Sequence, residues 1–75
     1  MPTIRILHHF APGYGWSFES PDVPGLTGGT DSYDAAYAEE AARFALVSEA
    51  EEQGTQPPVD LAFEHFVPAE MASAA

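Results

Sequence analysis

The sequence predicts a small α+β domain with the element order β-β-β-α-β. Three observations lead to this fold class: two N-terminal segments alternate apolar and polar residues, the middle of the chain repeats its apolar residues at helical spacing, and the alternation then returns. Each element has one apolar face to bury, which predicts a small sheet packed on one helix. The 75 residues suffice for a single core. We assign residues 1–67 to this domain and residues 68–75 to a flexible C-terminal tail.

The first two strands are predicted to form an antiparallel hairpin. Residues 3–10 (TIRILHHF) are rich in β-branched and apolar residues, and residues 14–19 (YGWSFE) alternate aromatic with small or polar ones. Residues 11–13, which lie between them, have the composition of a turn. The aromatic face of the hairpin, formed by Tyr14, Trp16 and Phe18, is assigned to the core, because it lacks the interleaved basic residues of a base-stacking surface.

The segment PDVPG at residues 21–25 marks an abrupt end to the second strand. Pro21 and Pro24 lack the backbone N–H that a sheet requires, and each restricts the residue before it, so the chain must leave the sheet here. Gly25 gives the backbone freedom to turn. We therefore assign Pro21, Pro24 and Gly25 to a structural turn. A short, glycine-rich third strand is expected at residues 26–30, at a sheet edge or beside a close backbone approach.

Residues 33–52 change to a helical period, and the predicted helix has recognisable ends. Ser32 is the expected N-cap, with Asp34 in the first turn where it favours the helix dipole, and Gly54 is the expected stop. Residues 60–67 alternate again and predict the fourth strand. The helical stripe expected to face the sheet consists of Tyr33, Ala36, Tyr37, Glu40, Phe44 and Val47.

The charge of the chain points to a particular class of partner. Twelve acidic side chains stand against two basic ones, Arg5 and Arg43, and give a net charge of -10. Such a surface repels nucleic-acid phosphate and complements a basic protein, although charge of this kind also serves simply to keep a small protein in solution. Cysteine is absent, which excludes disulfides and thiolate metal sites. A cytoplasmic location is expected, because neither a signal-peptide pattern nor a membrane-length apolar run is found.

Neither catalysis nor metal binding is expected. His8 and His9 are neighbours in a strand and point to opposite faces, so they do not readily chelate one ion. His65 could meet His8 if the first and last strands are adjacent, but no third ligand is indicated. The adjacent carboxylates Glu39 and Glu40 are interpreted as a solvated helix face. Hydrolase triads, HExxH and phosphate-binding fingerprints are all missing, so we expect no enzyme activity, no cofactor and no metal.

Three features in succession resemble the HicB-like antitoxin family. They are the glycine–aromatic pair at residues 15–16 of a strand, the turn PDVPG at residues 21–25, and the helix start TDSYDAA at residues 30–36. The resemblance covers about residues 3–67. It implies a partial ribonuclease H-like fold without catalytic activity, acting as the antitoxin that binds and neutralises a small basic mRNA-cleaving toxin, a HicA-like ribonuclease.

The chain departs from that family in two places. Longer members carry a C-terminal DNA-binding module, whereas only eight residues follow Val67, so no direct binding of nucleic acid is expected. Glu40 occupies a position of the buried stripe where the family usually has an aliphatic residue. Either the helix is rotated so that Ala41 faces inward, or Glu40 lines an interface.

The candidate partner-binding residues are four carboxylates that flank the turn and the helix start: Glu19, Asp22, Asp31 and Asp34. They are expected to be exposed, close together and able to steer a basic partner. The small core also predicts a homodimer or higher homo-oligomer formed through a terminal strand, and no membrane contact is expected. The alternative is an orphan HicB-like regulatory or small-ligand-binding domain that has no toxin and uses the groove beside PDVPG as its pocket.

Overall fold

The computed structural model describes residues 3–68, and residues 69–75 of the predicted tail lie outside this range. The observed order of elements is the predicted β-β-β-α-β. Four strands form one mixed sheet, and a single helix lies on it. Among the described residues, no helix combines the length and the apolar character needed to cross a membrane. The elements are β1 (Thr3–Ala11), β2 (Gly15–Glu19), β3 (Thr27–Thr30), α1 (Ala35–Gln53) and β4 (Ala62–Phe66).

The strand order in the sheet is β3-β2-β1-β4. β1 pairs antiparallel with β2, and β2 pairs antiparallel with β3, as a hairpin and its continuation require. β4 pairs parallel with β1, with Ile4 opposite Phe63 and Ile6 opposite His65. The chain therefore leaves β3 at one edge of the sheet, runs through α1 and returns at the other edge, because a parallel pair needs a crossover connection.

The core lies between α1 and one face of the sheet, where Ile6 is completely buried and Ile4 and Phe18 nearly so. The other face of the sheet carries Arg5, His9 and their neighbours, and no helix within residues 3–68 covers it. Of the hairpin aromatics expected in the core, Phe18 is buried and Trp16 half-buried. The expectation is wrong for Tyr14, which lies in the turn between β1 and β2 and is 90% exposed. The buried members of the core cluster are Ile4, Ile6, Phe18, Val23, Leu26, Ala38 and Ala42.

The PDVPG turn leaves the sheet as predicted and also contributes to the core. The backbone N–H of Leu26 donates to the carbonyl of Val23 at 3.1 Å, and Gly25 adopts a φ of 80°, in the left-handed region that glycine tolerates. Both prolines are exposed, whereas Val23 between them is 1% exposed. The turn thus holds one aliphatic side chain against the core.

β3 lies at a sheet edge, and it also makes the close approach that its glycines suggested. A Cβ atom on Gly28 would come within 2.3 Å of the Phe18 ring. Because Phe18 is buried, its ring has little room to move, and the third strand must pass it without a side chain.

The face of α1 that packs on the sheet is not the predicted one. The residues of the predicted stripe, from Tyr33 to Val47, are all exposed, and Phe44 is 75% exposed. The side chains that face the sheet are mostly alanines, and the sheet supplies larger side chains to the core. Ala41 is packed against the core and Glu40 is exposed, so the helix is rotated relative to the expected stripe. The residues buried on α1 are Ala38, Ala42 and Ala50, with Ala41, Ala45 and Leu46 partly buried.

The prediction for α1 is wrong at its N-terminal end and right at its C-terminal end. The predicted N-cap Ser32 is wrong: Asp34 is the cap, and its carboxylate accepts the backbone N–H of Tyr37 at 3.0 Å. The helix begins at Ala35, so Ser32 lies too far upstream to reach its free N–H groups. The C-terminal end is confirmed, since Gly54 has a φ of 70° and its N–H donates to the carbonyls of Ala50 and Glu51.

The corrected cap gives a simple stability test. Replacing Asp34 with alanine should lower the free energy of unfolding by about 1 kcal/mol, because an N–H of the first turn loses its acceptor. Ser32→Ala is the matched control and should leave stability within about 0.5 kcal/mol of the original protein. Urea unfolding followed by circular dichroism measures both. A larger loss for Ser32→Ala than for Asp34→Ala would contradict the assignment.

Candidate functional site

The four candidate carboxylates do not form one cluster. Glu19 pairs with Thr27 at one end of the β2–β3 ladder, whereas Asp31 follows Thr30 at the other end. The three residue steps between Thr27 and Thr30 span roughly 10 Å of extended chain. The expectation that these carboxylates lie close together is therefore wrong, because the third strand separates them.

Three of the four carboxylates also have partners within the chain. Asp22 accepts hydrogen bonds from the backbone N–H of Arg5 at 2.9 Å and from its guanidinium at 2.8 and 3.0 Å. These bonds lower the pKa of Asp22 to about 2, with the side-chain bond from Arg5 as the largest cause, and raise the pKa of Arg5. Glu19 lies 2.9 Å from the Nε2 atom of His9, and Asp34 caps the helix.

A second surface combines apolar and acidic side chains more closely. A groove of about 530 Å³ runs between α1 and the segment that leads from the PDVPG turn into β3. An adjoining hollow of about 450 Å³ extends it along the helix past Phe44 and Ala45. We call the two together the helix groove. Its lining residues are Pro24, Gly25, Leu26, Thr27, Tyr37, Glu40, Ala41, Phe44, Ala45, Ser48, Glu49 and Glu52.

The helix groove has an aromatic wall and an acidic rim. Tyr37 and Phe44 are seven residues apart on α1, so they project from the same side of the helix about two turns apart. Tyr37 is 46% and Phe44 75% exposed, while Ala41 between them leaves space for an incoming side chain. The carboxylates of the groove are those of Glu40, Glu49 and Glu52.

Both arginines of the chain are engaged elsewhere. Arg5 is bound to Asp22, and the guanidinium of Arg43 lies over the ring of Phe63, 5.0 Å from its centroid. Neither arginine lines the helix groove. The groove therefore presents apolar surface and negative charge together, which is the combination that a basic, partly apolar protein segment complements.

The sequence had selected several of these residues but had assigned them to the core. Tyr37, Glu40 and Phe44 all belong to the stripe expected to face the sheet. The indication in the sequence was Glu40, a charged residue on an apolar stripe, for which an interface was one of the two open explanations. The alanines that actually face the sheet are small, so their pattern was weaker than that of the aromatic stripe as an indication of the buried face.

A chain of hydrogen bonds joins α1 to the two parallel strands. His8 Nε2 lies 2.8 Å from His65 Nδ1, and His65 Nε2 lies 2.7 Å from a carboxylate oxygen of Glu39. The strand alternation explains part of this arrangement, because His8 and His65 lie on the same face of neighbouring strands. Glu39 was interpreted as a solvated residue, and its contact with His65 follows from the rotation of α1.

The environment of His8 disfavours its charged form. The side chain is buried, and its ring lies edge-on to Tyr33 with the ring centroids 4.7 Å apart. Burial is the largest cause that lowers the pKa of His8, followed by electrostatic repulsion from His65 and then from His9. Chemically, the chain can hold a proton between the two imidazoles, and structurally it ties β1, β4 and α1 together.

The histidines do not form a recognisable metal centre. The facing nitrogens of His8 and His65 are at hydrogen-bonding distance from each other, and His9 points to the other face of the sheet, where it meets Glu19. Within residues 3–68, no three or more histidine, aspartate or glutamate side chains are placed to hold a metal ion. The geometry instead describes a hydrogen-bonded link between elements.

Comparisons with known protein families, with curated proteins and with solved structures found no match to this chain.

Proposed function

We propose that this chain is an interaction protein that captures a small basic protein in its helix groove. The observation that carries the proposal is the exposure of Tyr37 and Phe44 beside the carboxylates of Glu40, Glu49 and Glu52. In the form suggested by the HicB-like resemblance, the partner is a HicA-like mRNA-cleaving toxin that the chain neutralises without catalysis of its own. The partial ribonuclease H-like fold is part of the same proposal, and the four-stranded mixed sheet with one helix is compatible with it.

The apolar and charged parts of the helix groove have different roles in this proposal. Aromatic side chains bury about 150–250 Å² each when a partner covers them, and such contacts slow dissociation. The carboxylates attract an oppositely charged partner over a distance of about 8 Å at physiological ionic strength, which speeds encounter. Capture of a toxin benefits from both effects.

The charge of α1 also argues against a second copy of this chain as the occupant. Five glutamates and a single arginine lie on the helix, so two helices facing each other would repel. The homo-oligomer predicted from the sequence must then use another surface, such as the uncovered face of the sheet. A basic partner meets no such repulsion at the groove.

Charge reversal in the helix groove tests this proposal. Glu40→Lys/Glu52→Lys should slow association with the small basic protein encoded beside this chain's gene, and should weaken neutralisation of its toxicity. Asp60→Lys/Glu64→Lys changes the net charge by the same amount outside the groove and is the matched control. The association rates of both variants, measured by stopped-flow at low and high salt, separate local attraction from overall charge.

The sequence-derived site provides a third arm of the same experiment. Glu19→Lys/Asp31→Lys alters two of the carboxylates at the turn and the helix start. If this variant slows association and the groove variant does not, the partner binds around the turn and the helix start instead of in the helix groove. Equal, salt-independent rates for all variants would refute capture by charge.

A second candidate function is the binding of a small ligand beside PDVPG. The observation in its favour is the volume of the groove, about 530 Å³, which falls within the usual range of ligand sites, about 300–1,000 Å³. Exposed aromatics and a groove open along one side favour a protein partner, since a small ligand would remain partly in water. A neighbouring short reading frame that encodes a basic protein would favour the first candidate, and its absence the second.

A further inference from the structure

We infer that the partner enters the helix groove as an extended basic segment that adds a strand to the free edge of β3. This inference rests on the proposed function and specifies the conformation and chemistry of the segment that binds. The recognition mode is strand addition, in which main-chain hydrogen bonds give affinity and alternate side chains give specificity.

β3 offers a free edge to which a strand can be added. β3 is an edge strand in the order β3-β2-β1-β4 and pairs with β2 alone among the described strands. Natural edge strands are often protected by charged side chains, prolines or bulges. The strand TGGT has neither charge nor proline, and its two glycines leave the backbone uncovered.

Some backbone N–H and C=O groups of β3 point away from β2. The carbonyl oxygen of Thr30 lies against Gly15, only 2.7 Å from where a Cβ atom of that glycine would be, so Thr30 directs its hydrogen-bonding groups toward β2. Backbone groups alternate in direction along a strand of a ladder. Gly29 and Thr27 therefore direct their N–H and C=O groups outward, where an added strand could pair with them.

The free edge of β3 borders the helix groove. Thr27 and Leu26 line the groove opposite Tyr37 and Phe44. Side chains two positions apart on a strand are about 6.6–6.8 Å apart, so consecutive inward side chains of an added strand would meet the space around Ala41 and then Phe44. The groove suits apolar side chains at these positions.

The remaining side chains of the added segment point away from the helix groove. Side chains on the opposite face of the added strand would lie beside Thr27 and its pairing partner Glu19. Acidic residues also border the groove itself, and Glu40 lines it beside Ala41. The segment that fits both faces alternates apolar residues with lysine or arginine.

The test uses the full chain and a synthetic eight-residue peptide that alternates lysine with valine. Two isomers carry backbone N-methyl groups, one on all its valines and the other on all its lysines. In an added strand, successive backbone N–H groups point to opposite sides. Either the N–H groups of the valines or those of the lysines therefore face β3, and the other set faces water. We expect one isomer to bind with a dissociation constant within about threefold of that of the parent peptide. The other should bind at least about tenfold more weakly, because it loses several backbone hydrogen bonds to β3.

Nuclear magnetic resonance titration of the isotope-labelled chain reads out both affinity and position. Strand addition predicts that the largest changes in amide chemical shift occur in Thr27–Thr30. Phe44→Ala should weaken binding of the parent peptide, while the spectrum of the free variant should remain that of a folded protein. Loss of binding with both isomers indicates a helical peptide and overturns the inference. Equal binding of both indicates attraction by charge alone and also overturns it.

Absence of shifts at millimolar parent peptide likewise overturns strand addition. It does not overturn capture of a basic partner, because the charge-reversal experiment uses the folded partner and depends only on its charge and contacts. The two proposals can therefore fail separately.

Discussion

Replacing Ile6 with alanine should lower the free energy of unfolding by about 2–5 kcal/mol, while replacing the larger Phe44 with alanine should hardly change it. Ile6 is 0% exposed, so its truncation leaves a cavity between the sheet and α1. The total stability expected for a chain of this length is about 4–11 kcal/mol, so this one substitution removes a large part of it. Phe44 is 75% exposed and loses little burial.

The pair of variants separates stability from partner binding. Urea unfolding at constant pH measures stability, and the association experiment measures binding. We expect Ile6→Ala to lower the urea midpoint of unfolding strongly. Phe44→Ala should keep that midpoint but lose affinity for the basic partner, since an aromatic side chain that becomes buried in an interface is a common binding hot spot. A Phe44→Ala protein that unfolds as readily as Ile6→Ala would show that the aromatic stripe belongs to the core after all.

The second large effect is a loss of stability as the pH falls below about 6.5, the ordinary pKa of histidine. The folded protein lowers the pKa of His8, mainly through burial. Between the unfolded and the folded pKa, the unfolded chain binds more protons at this site, so stability decreases toward lower pH. One such group changes the free energy by at most about 1.4 kcal/mol per pH unit.

Two variants and two pH windows isolate the contribution of His8. His8→Gln should flatten the decline of stability between pH 7 and 5, whereas the exposed control His9→Gln should keep it. The pKa of Asp22 is lowered to about 2 by Arg5. Protonation of Asp22 therefore lowers the free energy of unfolding only as the pH falls from about 4 toward 2, a pH range separate from that of His8. The groups that face His8 are His65, linked onward to Glu39, and Tyr33. An unchanged slope in His8→Gln would assign the acid sensitivity to another group.

Local chemistry made much of the fold predictable. Alternation located the strands, prolines marked the end of β2, and Gly54 marked the end of α1, because each of these depends on a few adjacent residues. The N-cap was misplaced by two residues, since Ser32 and Asp34 are both good caps and only the first turn of the helix distinguishes them.

The candidate site was less predictable because it depends on how elements pack. A row of alanines can bury a helix when the opposing sheet supplies bulk, and the sequence of α1 alone does not reveal the shape of that sheet. Rotation of the helix exposed Phe44, placed Glu39 on His65 and left Glu40 on the groove. The separation of Glu19 from Asp31 likewise required the β2–β3 register.

The parallel pairing of β1 with β4 has a consequence for synthesis on the ribosome. Each pair joins residues 59 positions apart, as Thr3 with Ala62, and contacts so distant in sequence form late because a long loop must close first. While the chain is being made, β1 can pair with β2 and β2 with β3, but the other edge of β1 stays open until the last strand emerges. During that interval His8 also lacks His65, so the nascent domain has an unpaired strand edge that a chaperone or another nascent chain could bind.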